Sequence, residues 1–240
     1  MLLNLDAGEC PDETEALWLL FDLLNCACGG HAGDEASMER VAAFCARTGV
    51  RLGAHPSYPD REGFGRRSPL MKTASVEAPS DSGQDPVTPT LAAVYDAVAA
   101  QCRALAAVAA RHGVVVTAVK LHGALYHDAA ARPDIAEAAL KGASDGLGST
   151  YLVVGPPRGA LRTVAQSLGL PYAREGFADR RMRADGSIVA RTEPEALISD
   201  PQIAAQQARR LLADVDTICI HADTPHVLAI ARAVRGVLRD

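Results

Sequence analysis

At 240 residues, with 48% apolar and only 4% aromatic residues and a net charge of −5, the chain is long enough for one large core built from Ala, Val, Leu and Ile. So few aromatics point to an α/β protein rather than a β-sandwich, and we read residues 1–240 as a single domain. The scattered charges offer no basic stripe to nucleic acid or anionic lipid. No basic leader and no run of 18 apolar residues is visible either, so the expected location is cytoplasmic, with neither membrane nor nucleic acid as partner.

In chain order, seven β-rich runs are predicted at 2–5, 23–27, 51–54, 114–119, 151–154, 172–174 and 217–220. Helical patterns lie between them. Leu91, Val94, Tyr95, Val98, Cys102, Leu105 and Val108 recur at spacings of three or four, and Val227, Ile230, Ala231, Val234 and Leu238 repeat the pattern in the last helix. This alternation requires a parallel sheet covered by helices, as a closed barrel or an open doubly wound sheet. Residues 75–90, rich in Ser, Pro, Asp and Gly, have no period and read as a mobile surface insertion.

Ionisable residues collect where strands end. Asn4, Asp6 and Glu9 lie at or after the first strand, His31 and Asp34 after the second, and His55, Tyr58 and Asp60 after the third. Lys120, His122 and Tyr126 close the fourth; Glu175, Asp179, Arg180 and Arg181 follow the sixth; His221, Asp223 and His226 follow the seventh. Parallel α/β folds gather active sites at these carboxyl ends, so one shared pocket is expected. Lys120, between Val119 and Leu121, should point into the barrel, where it needs an anionic partner or substrate. Arg180 and Arg181 fit either the pocket or a solvated loop.

The stretch CACGGHAGD at 26–34 lacks the paired spacings of a zinc-thiolate site, so Cys26 and Cys28 read as packing thiols, like the other four cysteines. Gly29, Gly30 and Gly33 read as a tight turn, and Asp34 as either a site residue or only a helix N-cap. Neither the phosphate-loop nor the dinucleotide glycine pattern occurs. GASDG at 142–146 matches the nucleophile-elbow pattern but precedes a strand, so a loop is expected there. His122 with His127 and His221 with His226 miss the spacing of a zincin, and His112 and His127 read as ordinary packing residues.

Seven ordered blocks, LNLDAGE, NCACGGHAGD, GAHPSYPDREGFGRR, VKLHGALYH, EGFADRR, DGSIVAR and ICIHADTPH, resemble the signature segments of the LamB/YcsF family. The chain departs from the usual family residues at Leu5, Ser57, Leu121, His127, Met182 and Ala222, and is shorter over 10–24. The resemblance implies a distorted seven-stranded β/α barrel. It also implies ATP-dependent hydrolysis of the cyclic amide 5-oxoproline to glutamate, in a complex with two further subunits, with Mg2+-ATP bound by this chain or by a partner.

On that reading Asp6 or His55 is the general base, Lys120 with His122 meets the developing oxyanion, and Arg180 or Arg191 holds the substrate carboxylate. Asn4, Glu9, His31, Asp34, Tyr126, Glu175, Asp179, His221, Asp223 and His226 are the expected substrate contacts. Two alternatives stay open. One is a metal-dependent amidohydrolase or deacetylase with Asp6, His55 and His122 around a divalent ion, and the other is a non-catalytic subunit that binds a carboxylic acid.

Overall fold

A computed structural model describes residues 1–70, 90–183, 188–189 and 193–239. Its parallel strands β1 (Leu2–Ala7), β2 (Leu23–Ala27), β3 (Arg51–His55), β4 (Val116–Lys120), β5 (Leu152–Gly155), β6 (Tyr172–Phe177) and β7 (Thr217–His221) close into a barrel in chain order. Asp6 is paired with Asn25 on one side and His221 on the other, so no edge is left and the open doubly wound alternative is excluded. β1 and β6 run past their predicted ends, which places Asp6 and Glu175 inside strands rather than after them.

Side chains alternate between the two faces of each strand. Outward-facing Leu3, Leu5, Leu24, Cys26, Leu52, Ala54, Val119, Ile218 and Ile220 join the helices in the main apolar core. Inside the barrel, Leu23, Ala118, Val154 and Ala173 form a separate apolar cluster with Leu152. Two residues further along three of those strands come Asn25, Lys120 and Glu175, all buried. The bore is therefore apolar at one end and polar toward the carboxyl ends of its strands. Gly53 makes room for this: a Cβ there would lie 3.0 Å from Asn25 Oδ1.

Eight helices occur among the described residues: α1 (Glu15–Trp18), α2 (Glu35–Thr48), α3 (Leu91–Arg111), α4 (Gly123–Ala131), α5 (Pro133–Leu147), α6 (Ala160–Ser167), α7 (Pro201–Leu211) and α8 (Val227–Arg239). Of the stripe expected on α3, Val94, Val98, Cys102, Leu105 and Val108 are buried and Tyr95 is half-buried, but Leu91 is exposed in the first turn. α3 is long and apolar enough to cross a membrane by length and composition, yet that face is packed within the domain. Of the expected insertion, residues 75–89 lie outside the described residues, and Thr90 is the N-cap of α3, accepting from Ala93 N at 3.2 Å.

Residues 142–146 are helical, not a loop. They lie in α5, where a Cβ on Gly142 would come within 2.5 Å of the Tyr95 carbonyl oxygen and one on Gly146 within 2.6 Å of Cys102 Cβ. These glycines, which resemble an elbow motif in sequence, let α5 approach α3 closely. Alanine at either position should lower stability by about 1–3 kcal/mol, because overpacking a backbone contact outweighs better helix propensity. Gly236→Ala on α8, where nothing lies within 4 Å, should instead raise stability by up to about 1 kcal/mol. Urea midpoints of the three variants check the opposite signs.

Candidate active site

The polar half of the bore is organised by Lys120. Its Nζ lies 2.9 and 3.0 Å from the two oxygens of Asp6, 3.0 Å from Glu175 Oε1 and 3.0 Å from Cys219 Sγ. Burial works against the ammonium, but Asp6, Cys219 and Glu175 hold its pKa well above the usual lysine range. Burial likewise opposes the Asp6 carboxylate, and His55 and Lys120 outweigh it, keeping that pKa well below the ordinary carboxylate value. Asn25 Nδ2 donates to Asp6 Oδ1 and Asn4 Oδ1, and Asn4 Nδ2 donates to Thr217 Oγ1, so Asn4 supports the site from beneath. Burial pushes the Cys219 thiol well above its ordinary pKa despite Lys120, which leaves it protonated.

One rim of the cleft is built from three imidazoles around Glu9. Glu9 Oε1 is 2.8 Å from His31 Nε2, 3.3 Å from His122 Nδ1 and 3.5 Å from His55 Nε2, while His122 Nδ1 and His55 Nε2 are 2.9 Å apart. His55 Nδ1 donates to the Lys120 carbonyl at 2.7 Å, and His122 Nε2 donates to the Phe64 carbonyl at 2.9 Å. Burial drives the His31 pKa down to about 4 and lowers that of His122, with Glu9 opposing both. For His55, burial is overcome by Asp6 and Glu9, so its pKa is raised.

Local backbone explains the placement. Gly29 (φ +91°) and Gly33 (φ +78°) turn the chain left-handed around His31, closed by a Gly29 N to Ala32 O hydrogen bond of 2.8 Å. Phe64 takes a strained φ of +53°, and Gly65 follows at +63°, where a Cβ would lie 2.9 Å from His31 Cβ and 3.0 Å from His122 Cδ2. The Phe64 carbonyl is thereby aimed at His122.

The opposite rim is an Asp–His pair. Asp179, fully buried, accepts from the His221 backbone N at 2.8 Å and lies 3.0 Å from His221 Nδ1, with Thr224 Oγ1 and Arg180 Nη1 also bonded to it. Burial opposes the charge on Asp179, but His221 and Arg180 hold its pKa well below the ordinary range. His221 Nε2 faces Asp6 Oδ2 at 3.6 Å. Between the rims lies a cleft of about 500 Å³, whose lining includes Asp6, Glu9, His55, Lys120, His122, Tyr126, Arg180 and His221.

Several expectations are corrected. Asp34 is exposed and caps α2 in a capping box with Ser37, outside the cleft. His226 is exposed, and its carbonyl accepts from Ala229 and Ile230 at the start of α8. Arg180 lines the cleft, but its amino groups are engaged by Asp179, Thr224 and Asp223, so it braces the rim instead of offering a free fork. Asp223 is its exposed partner there, and Arg191 lies outside the described residues. Glu175 is fully buried under Lys120, and His31 stands behind Glu9. The carboxylate brought to both His55 and His122 is that of Glu9; Asp6 lies 3.4 Å from His55 Nε2 and has both oxygens bonded to Lys120.

Arg66, His127 and Phe177 also line the cleft, and Cys219 and Asn25 bond its central charges. None was an expected site residue. All five lie in blocks that carried the resemblance, which was the available signal, while Cys219 and His127 by themselves read as packing residues.

The LamB/YcsF family profile matches residues 3–240. The A subunit of 5-oxoprolinase from Chloroflexus aggregans is 37% identical, covering 97% of this chain and 92% of that protein. The corresponding subunits of Methylococcus capsulatus and Bordetella pertussis are each 36% identical, covering 97% and 98% of this chain and 90% and 94% of theirs. The crystal structure of a lactam utilization protein from Thermus thermophilus superposes with a TM-score of 0.83 at 29% identity, covering 100% of this chain and 96% of that one. Matched from end to end, with its barrel shared by a solved lactam utilization protein, this chain belongs to the LamB/YcsF family.

Proposed function

We propose that this chain is the hydrolytic subunit of an ATP-driven 5-oxoprolinase, opening the lactam ring of 5-oxoproline to give glutamate. The observation that carries this is a buried cation, Lys120 Nζ, fixed by Asp6 at the base of a cleft sized for a small molecule. The relatives named as 5-oxoprolinase A subunits support the substrate class. An unstrained amide is resonance-stabilised, and water alone attacks it poorly. Phosphoryl transfer from Mg2+-ATP to the lactam oxygen makes the ring carbon electrophilic, and we assign that step to one of the partners because this chain lacks a familiar phosphate loop. Water then adds, the C–N bond breaks, and hydrolysis of the resulting acyl phosphate releases glutamate and phosphate.

In this scheme Lys120 stabilises negative charge developing on oxygen, a contribution on the order of 10²- to 10³-fold. Asp6 is held too acidic to be a good base, so its role is to position Lys120. His221, oriented by Asp179, takes the proton from water and returns one to the ring nitrogen. Arg66, on the cleft wall and paired with the exposed Asp223 at 3.4 Å, is the cation we assign to the substrate carboxylate.

The chain alone, with ATP and Mg2+, should release no glutamate from 5-oxoproline and should do so once the two partner subunits are added; ATP-independent opening by the chain alone overturns the reading. In the reconstituted complex, Lys120→Met and His221→Ala should each lower kcat by at least about 100-fold. Arg66→Ala should mainly raise KM, and equal losses of kcat in all three would deny Arg66 its binding role.

A further inference from the structure

We propose that Glu9, His55 and His122 hold a divalent transition-metal ion, with zinc the best match to the donor set, and that His31 orients Glu9 from behind. His55 commits its Nδ1–H to the Lys120 carbonyl and His122 its Nε2–H to the Phe64 carbonyl, which leaves the lone pairs of His55 Nε2 and His122 Nδ1 facing each other at 2.9 Å. Two facing lone pairs repel unless a proton or a cation lies between them. A shared proton needs no third donor, yet Glu9 Oε1 completes a triangle with them at 3.3 and 3.5 Å.

A tetrahedral ion with bonds of about 2.0–2.1 Å sets its donors about 3.3 Å apart, which is the scale of all three separations here. Each donor also has the outer support expected of a metal ligand: a backbone carbonyl behind each imidazole, and His31 Nε2 against Glu9 at 2.8 Å. His31 belongs to the same group of four possible ligands, but its Nε2 lies at hydrogen-bond distance, 2.8 Å, from the Glu9 oxygen and its ring is stacked on that of His122 at 3.6 Å, so we place it behind Glu9 as an orienting donor. The three ligands line the cleft, so the fourth coordination position opens into it, as in hydrolytic zinc sites. An ion there would hold a water or polarise an oxygen beside Asp6 and Lys120. Two imidazoles and one carboxylate favour zinc or a similar ion over magnesium or calcium.

The site is tested by stripping the purified chain with a chelator and titrating it with Zn2+ and, separately, with Co2+. The expected result is one ion per chain, a raised thermal midpoint, and visible Co2+ bands of four- or five-coordinate type. Glu9→Gln and His122→Ala should weaken binding by more than about 100-fold, and His31→Ala by about 10- to 100-fold with stoichiometry retained. Cys219→Ser should leave binding unchanged. A folded wild-type chain that binds neither ion overturns the proposal, and this holds even where a variant fails to fold. Binding lost in Cys219→Ser but kept in Glu9→Gln also overturns it, by moving the ion to the neighbouring group Asp6, Cys219 and His221. These measurements read ion binding without turnover, so their outcome is separate from that of the lactam reading.

Discussion

A lysine ammonium inside a protein costs several kcal/mol in lost hydration, and the architecture of this barrel follows from how that cost is met. Lys120 projects from β4, and its partners Asp6, Glu175 and Cys219 come from β1, β6 and β7. Only a closed barrel brings these strands around one point. The charge cluster accordingly occupies the half of the bore nearest the carboxyl ends of the strands, while Leu23, Ala118, Val154 and Ala173 seal the other half. Removing one partner would leave a buried charge uncompensated, and Asn25 and Asn4 extend the network so that Asp6 keeps one orientation.

Above this cluster the cleft has two unlike sides. On one side Glu9 is surrounded by three imidazoles, of which His55 and His122 are fixed by backbone carbonyls, the latter by that of Phe64 in a left-handed conformation. Strain of this kind persists only where the surroundings enforce it, and here Gly65 O accepts from Ala124 N at 2.9 Å, docking the loop on the first turn of α4. On the other side Asp179 orients His221 through Nδ1 and leaves Nε2 facing Asp6. Lys120 stands between a cluster suited to holding an ion and a pair suited to moving a proton. Asp6 touches both sides, 3.4 Å from His55 Nε2 and 3.6 Å from His221 Nε2.

Much of this was legible in the sequence because it is local. Strand and helix periods follow from which residues are apolar, and polar residues clustered at strand ends mark the face where a parallel barrel gathers its chemistry. Lys120 between two apolar neighbours already implied an inward ammonium in need of an anion. Local patterns also misled where two meanings share one spelling. GASDG is helical because Gly142 and Gly146 face the close approach of α3, and Asp34 followed by Ser37 is a capping box whose spacing says nothing about a pocket.

The sequence by itself determined the α/β class, the seven strands and the end of the barrel that carries the site, since each depends on hydrophobic period and on residue types along one stretch of chain. Only the tertiary structure decided which atoms meet. That Glu9 meets both His55 and His122, while Asp6 holds Lys120 and touches His55, depends on residues over a hundred positions apart in the chain. That Arg180 is a brace depends on Asp223 and Thr224 arriving from the end of β7. Barrel closure and strand register set these meetings, and neither is written in the spacing of any single motif.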